Sequence, residues 1–154
     1  MNKKQNGVSD AKYITLKKED LERRFKEYNE MYFDGVLPPC NIRIVKSTNR
    51  IAAWYNFRSK VSKIYMARNV YWTEDDLKSV FIHEMVHHYV WKILKYDSFF
   101  SHGRTFRKVC RMLRKKHGLR VNLWEYPLSH WKGEKKPSFL KDMTVRFLYW
   151  ILPL

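Results

Sequence analysis

The sequence predicts a small α+β domain, because helical and strand-like patterns surround one unusually apolar helix. Residues 73 to about 96 are apolar on almost every helical face, and a helix of that kind is expected at the centre of a domain. An amphipathic helix precedes this stretch, and three short alternating segments lie between the two. The chain has 154 residues, of which 45% are hydrophobic, so it is long enough for a single domain with its own core.

The N-terminal part of the chain is expected to be a flexible polar segment followed by a helix. Residues 1–14 are polar and basic, which is typical of a frayed terminus. Thr15 is predicted to cap a helix over residues 16–33, which Asp34 and Gly35 end. The buried stripe of that helix is predicted to contain Leu21, Phe25, Tyr28, Met31 and Tyr32.

Three strands are predicted after this helix, at residues 42–45, 51–57 and 62–67. Ser59 and Lys60 are a plausible hairpin turn between the last two strands. These segments predict a small antiparallel or mixed sheet that packs on the apolar helix. Thr73 is predicted to be the N-cap of the apolar helix, with Asp76 as its capping partner.

The middle of the apolar helix reads His83-Glu84-Met85-Val86-His87. Two histidines four residues apart project from one helix face, about 40° apart, so their imidazoles can share one tetrahedral Zn²⁺. Glu84 lies beside that axis, where a carboxylate can take a proton from a water on the metal. Two histidines and a glutamate are costly to bury without partners, and a metal offsets that cost.

A catalytic zinc site needs a third protein ligand, and spacing alone leaves several candidates open. Besides the acids, the candidates are His88, His102, His117 and His130. His102 is favoured, because the short connection 97–101 reverses the chain and Gly103 permits close approach of the backbone. His88 is adjacent to His87 and is expected to point away from the metal.

A strongly basic helix is predicted from His102 to about Lys116, with Gly118 after its end. Its apolar stripe contains Phe106, Val109, Cys110 and Leu113. The candidate nucleic-acid contacts on its other faces are Arg104, Arg107, Lys108, Arg111 and Lys115. A strand at residues 121–126 and a strand or short helix at 144–152 are predicted to follow.

The charge of the chain favours a polyanionic partner. There are 31 Lys+Arg against 15 Asp+Glu, a formal net charge of +16, which indicates nucleic acid first and an anionic membrane surface second. We expect no signal peptide and no membrane span, because no stretch is apolar for long enough. Two cysteines, Cys40 and Cys110, suit a reducing compartment. We therefore expect a cytoplasmic monomer, associated with the nucleoid if the source is bacterial.

Three segments, in this order, resemble the SprT-like metalloprotease family, which contains Spartan-like proteases of DNA–protein crosslinks. They are YNEMYFDGVLP at 28–38, FIHEMVH at 81–87 and HGRTF at 102–106. The resemblance extends over residues 15–121. It implies a minimal zincin fold in which an N-terminal helix and a small sheet pack on the H-E-x-x-H helix.

The resemblance also implies a site and an activity. His83, His87 and His102 would bind one catalytic Zn²⁺, with Glu84 as general base. The activity would be peptide hydrolysis in DNA-associated or DNA-crosslinked proteins. Residues 15–154 would form one domain with a divergent extension at 128–154. Many family members have a C-terminal four-cysteine zinc ribbon, but the only cysteine after His102 is Cys110, so that source of DNA recognition is in doubt.

Other readings of the motif are less consistent with the sequence. The metzincin motif needs a histidine where Ile93 stands, and the surroundings of Cys40 do not resemble the cysteine motif of peptide deformylases. A DNA-binding protein with structural zinc is the main alternative, although a structural site needs no base such as Glu84. A toxin-like protease acting at membranes or on acidic substrates is a third. Tyr126 and His130 are both open as stabilisers of the tetrahedral intermediate, and residues 51–57 are the expected substrate-binding edge.

Overall fold

The computed structural model describes residues 13–47, 51–58, 60–95 and 102–121. These residues form three helices and a three-stranded sheet, which confirms the predicted α+β class. In chain order the elements are α1 (Lys18–Phe33), β1 (Asn41–Val45), β2 (Ala53–Asn56), β3 (Lys63–Ala67), α2 (Glu74–Lys92) and α3 (Arg104–His117). The predicted elements at 122–126 and 144–152 lie outside the described residues, as do residues 1–12 of the expected flexible terminus. Val121 is described and is not in a strand.

The sheet is mixed, with the strand order β1-β3-β2. β1 runs parallel to β3, with Ile42 opposite Ile64. β2 runs antiparallel to β3, with Tyr55 opposite Ile64, as the predicted hairpin requires, although Ser59 of its turn is not described. Ile42, Ile64 and Met66 are buried on the inner face, and β2 forms one edge of the sheet.

The start of α1 differs from the prediction, which was wrong about its cap. The N-cap is Lys17, not Thr15, and its side chain makes no capping hydrogen bond. The Ile14 N–H donates to the Trp72 carbonyl at 2.8 Å, so the chain stays extended through Thr15 and turns only afterwards. Met31 is also not buried, with 55% of its surface exposed.

A short turn after α1 is held by an amide side chain. Asn29 donates to the Leu37 carbonyl at 3.1 Å, and its side-chain oxygen accepts from the Leu37 N–H at 3.0 Å. Asp34 and Gly35 have positive φ angles of 54° and 69°. The YNEMYFDGVLP segment therefore folds as one unit, which ends α1 and directs the chain into β1.

Helix α2 is the centre of the core. The Asp76 N–H donates to the Thr73 hydroxyl at 3.2 Å, which confirms Thr73 as the N-cap. Ten side chains of α2 are buried, in agreement with its all-round apolar pattern. The helix ends at Lys92, about four residues before the predicted end.

Helix α3 packs against α2 at its start and against the end of α1 at its own end. The Lys116 ammonium donates to both Asp34 carboxylate oxygens, at 2.6 and 2.7 Å. The His117 ring meets Tyr32 edge-on, with ring centroids 5.5 Å apart. Gly118 ends the helix with a φ of 66°, as predicted. In the described ranges, every helix is too short or too polar to span a membrane.

Candidate metal centre

Three imidazole nitrogens meet at one point between α2 and α3. The Nε2 atom of His83 is 2.9 Å from that of His102 and 3.1 Å from that of His87. The Nε2 atoms of His87 and His102 are 3.1 Å apart. His83 and His87 share a face of α2, and His102 comes immediately before the N-cap of α3. The structure therefore brings together the three histidines that the resemblance to the SprT-like family implies as metal ligands.

Hydrogen bonding among these three nitrogens cannot explain their arrangement. A neutral imidazole nitrogen either carries a hydrogen or presents a lone pair, never both. In any triangle of such atoms, at least one pair must therefore set two lone pairs or two N–H groups against each other. A cation inside the triangle removes this repulsion, because all three lone pairs then point at it. Nitrogens of a tetrahedral zinc site are about 3.3 Å apart, close to the spacing observed, so the donor set fits Zn²⁺.

The surroundings of His87 favour a neutral ring. Burial, followed by the neighbouring His83 and His102 rings, holds the pKa of His87 well below its usual value. A neutral imidazole is the form that binds metals. Burial therefore favours the metal-binding form of the His87 ring.

Phe106, in the first turn of α3, packs against all three imidazoles. Its ring centroid is 4.9 Å from His83, 4.5 Å from His87 and 4.9 Å from His102. Only 1% of Phe106 is exposed. Contact with Phe106 holds the ring of His102 in place relative to the two rings on α2. The spacing from His102 to Phe106 in the HGRTF segment allows this contact.

Glu84 follows His83 on α2 and is completely buried, with 0% of its surface exposed. An ionised carboxylate in such a place is expensive unless positive charge is close by. A divalent ion held by the adjacent histidines would provide that charge. The carboxylate would then be a base held in a water-poor environment.

His88 is a buried residue whose structural role the sequence reasoning missed. It points away from the triangle, as expected, but it joins three parts of the fold. Its Nε2–H donates to the Pro38 carbonyl at 2.9 Å, so in the neutral ring Nδ1 accepts, and it does so from the Tyr55 hydroxyl at 3.1 Å. Burial lowers the pKa of His88, which keeps the ring neutral. The available signal was a histidine on the buried side of an apolar helix.

Tyr55 connects the edge strand β2 to helix α2. Its ring is parallel to that of His87, with centroids 6.4 Å apart, and the Ser62 hydroxyl lies 2.8 Å from its oxygen. Burial raises the pKa of Tyr55 to about 12, so the hydroxyl stays protonated. The edge predicted to bind substrate is therefore adjacent to the candidate metal site.

Cys40 is a structural residue and not a ligand. Burial raises the pKa of its thiol to about 12, and the Sγ atom donates to the Ser62 carbonyl at 3.2 Å. Its Sγ atom is not in the group of ligand atoms that converge among the described residues, so Cys40 does not complete this site. This agrees with the sequence-based rejection of a deformylase-type site.

The basic residues of α3 form one exposed stripe. We call this set the α3 stripe; its members are Arg104, Arg107, Lys108, Arg111 and Lys115. The opposite face is buried through Phe106, Val109, Cys110 and Leu113. None of the α3 stripe pairs with an acid among the described residues, whereas Lys116 is occupied by Asp34.

Of the remaining candidates, only His117 is among the described residues, and it does not lie at the candidate metal centre. His117 lies at the far end of α3, against Tyr32. His130 and Tyr126 lie outside the described residues, so a stabiliser of the tetrahedral intermediate stays unassigned.

The fold and the site together define a small zincin-like domain, in which two histidines of one helix and a third just before the N-cap of the next form a triad that could hold a metal ion. The chain belongs to the SprT-like family, whose sequence model matches residues 21–125. A comparison with curated proteins gives no match. Membership implies a zincin-like metalloprotease fold. No C-terminal zinc ribbon is evident, since Cys110 is the only cysteine after the triad.

Proposed function

We propose that this protein is a zinc-dependent metalloprotease that hydrolyses peptide bonds of DNA-associated proteins, including proteins crosslinked to DNA. The observation that carries the proposal is the convergence of three Nε2 atoms beside a fully buried glutamate. A purely structural zinc site needs no such carboxylate. The single domain at residues 15–154, the monomeric state and the cytoplasmic location stay predictions.

The proposed roles follow from the chemistry of each side chain. His83, His87 and His102 hold one Zn²⁺, which when bound would lower the pKa of a water toward about 7 and polarise the scissile carbonyl. Glu84 accepts the proton of the attacking water and later delivers it to the leaving amine. Burial of Glu84 suits this task, because it keeps competing solvent away from the proton.

The substrate is proposed to bind along β2. This strand is a sheet edge, and edges bind extended peptides by strand addition. Tyr55 connects β2 to α2 beside His87, so a peptide paired with β2 would pass close to the triad. The proposed edge, β2, lies within the segment 51–57 that the sequence analysis favoured.

The DNA part of the proposal rests on the position of the α3 stripe. The helix that carries it begins one residue after Gly103, directly beside the ligand His102. Cations in a row can track phosphates. DNA bound there would lie next to the cleavage site, and proteins attached to that DNA would be the accessible substrates.

The decisive experiment replaces Glu84 by Gln. Zinc content and the melting temperature should be retained, while cleavage of a DNA-bound test protein should fall about 10²- to 10⁴-fold because the proton acceptor is lost. Glu27→Gln, the same change at an exposed position on α1, is the matched control and should cleave normally. Unchanged cleavage by Glu84→Gln would refute the mechanism. Zinc binding without any cleavage by the wild-type protein would favour the structural-zinc alternative.

A further inference from the structure

The face of the sheet that points away from α2 carries an ordered set of aromatic, cationic and amide side chains. Side chains alternate between the two faces of a strand, so Tyr55 faces α2 while Trp54 and Asn56 point to the other side. The residues opposite them in register share that side. We call the set the outer sheet face; it consists of Asn41, Arg43, Trp54, Asn56, Lys63 and Tyr65.

These six residues form two rows across the three strands. In one row, Arg43 of β1 is opposite Tyr65 of β3, which is opposite Trp54 of β2. In the other row, Lys63 is flanked by Asn41 and Asn56. The Trp54 and Tyr65 rings are stacked, with centroids 4.7 Å apart and planes only 8° from parallel.

The outer sheet face is accessible among the described residues. Arg43 is exposed and the other five side chains are half-buried. None of the six makes a ring contact or a side-chain hydrogen bond with α1, α2 or α3. The rings are therefore stacked on each other and not inserted into the core.

The surrounding sequence has a single sign of charge. Residues 35–73, which contain the whole sheet, include seven basic residues and no Asp or Glu. The seven are Arg43, Lys46, Arg50, Arg58, Lys60, Lys63 and Arg68. Two of the seven, Arg43 and Lys63, belong to the outer sheet face, which carries no acidic side chain. Surfaces usually mix both signs of charge, so this face is complementary to a polyanion.

We propose that the outer sheet face binds single-stranded DNA. Unpaired bases stack on exposed aromatic rings, and cations beside the rings contact the phosphates. The amides of Asn41 and Asn56 can donate to and accept from base edges. Duplex DNA hides its base faces and gains nothing from Trp54, so the ring pair selects the single-stranded form.

The proposed surface has a consequence for substrate delivery, which rests on the protease function proposed above. Trp54 and Tyr55 are neighbours on the edge strand, one facing the outer sheet face and the other facing His88 and the metal helix. DNA on the outer face would therefore bring an attached polypeptide to the same edge that pairs with substrate. The α3 stripe is a separate basic surface and supplies binding that does not depend on strandedness.

The test measures binding of full-length protein to a labelled oligothymidylate and to a duplex of equal length, with no protein substrate present. Trp54→Leu, which keeps apolar bulk but removes the ring, should weaken oligothymidylate binding roughly five- to a hundredfold and leave duplex binding unchanged. Trp54→Phe should restore most of the affinity. Tyr13→Ala, at an aromatic residue 48% exposed and outside the sheet, is the control and should have no effect.

Several results would overturn the inference. Trp54→Leu could leave the oligothymidylate affinity unchanged, or it could lower the duplex affinity by the same factor. Tyr13→Ala could also lower the oligothymidylate affinity as much as Trp54→Leu does. In all three cases the Trp54 ring does not bind single-stranded DNA selectively. Tighter binding of an oligouridylate than of the oligothymidylate would contradict the assignment to DNA. Because binding is measured without cleavage, an inactive protease with Trp54-dependent binding refutes only the protease proposal. An active protease with Trp54-independent binding refutes only this one.

Discussion

His88 shows how one residue can couple the edge strand β2 to helix α2. It joins Tyr55 of β2 and the Pro38 carbonyl to α2 by two hydrogen bonds and has no exposed surface. We predict that His88→Ala destabilises the fold by about 2–4 kcal/mol, because it opens a cavity and leaves buried polar groups unpaired. Tyr55→Phe removes one hydroxyl and should cost only about 1 kcal/mol. Urea unfolding of both variants measures these values.

A double-mutant cycle provides the control for this prediction. If the His88 and Tyr55 side chains act through their mutual hydrogen bond, the double variant should be less destabilised than the sum of the two single variants. Strict additivity would show that the two residues contribute independently, and would contradict the proposed link between β2 and α2.

At the scale of single residues, the sequence identified the H-E-x-x-H side chains because their spacing is a property of one helix. His102 was harder, since it lies 15 residues after His87 and local patterns do not determine which distant residues meet. The short connection 97–101 and Gly103 favoured that residue, and the resemblance to SprT-like proteins supported it. The contact of Phe106 with all three imidazoles now gives a physical reason for its position. His88 was judged only as a possible ligand, and its hydrogen bonds to Pro38 and Tyr55 join segments far apart in the sequence.

At the scale of elements, helices were predicted better than their ends. Thr73 and Gly118 were correctly identified, because a cap hydroxyl and a left-handed glycine act locally. The prediction of Thr15 as the N-cap of α1 was wrong, because the β-bridge between Ile14 and Trp72 keeps the chain extended there. The sheet was predicted as a set of strands, but its parallel β1–β3 pairing joins residues separated by a whole strand and could not be predicted from local patterns.

The first turn of α3 is the element that positions the third histidine. We predict that Phe106→Ala lowers zinc affinity about 10- to 100-fold, because the His102 ring loses the aromatic contact that orients it relative to the rings of His83 and His87. Competition with a chromophoric chelator measures the affinity. The change should also cost about 3–5 kcal/mol of stability, so Phe106→Leu, which keeps most of the volume, serves as a milder second variant.

Leu113→Ala separates positioning from stability. Leu113 is fully buried on the same face of α3 but lies two turns further along, away from the triad. It should lose about 2–5 kcal/mol of stability and keep its zinc affinity. Equal loss of zinc affinity in the Phe106 and Leu113 variants would show that α3 acts only through general stability.

At the scale of the whole molecule, acidic and basic side chains are concentrated in different parts of the chain. Apart from Glu84, the described acids lie on α1, at Asp34 and in the first turn of α2. The sheet segment 35–73 and helix α3 contain none. This separation could be read from the sequence, but which cations share a face could not, because that depends on strand register and on how α3 is buried.

The α3 stripe should therefore govern how DNA binding responds to salt. We predict that reversing Arg107, Lys108, Arg111 and Lys115 to Glu weakens binding to a duplex and reduces the slope of log affinity against log salt concentration by up to about 3.6, or about 0.9 for each phosphate that is no longer neutralised. Anisotropy titrations over a range of salt concentrations measure the slope. The control reverses four exposed cations of α1 and its N-cap, which are Lys17, Lys18, Arg23 and Lys26, and so changes the net charge equally. If both variants reduce the slope alike, overall charge attracts DNA and α3 is only a solvated face; a reduction confined to the α3 variant places duplex DNA beside His102.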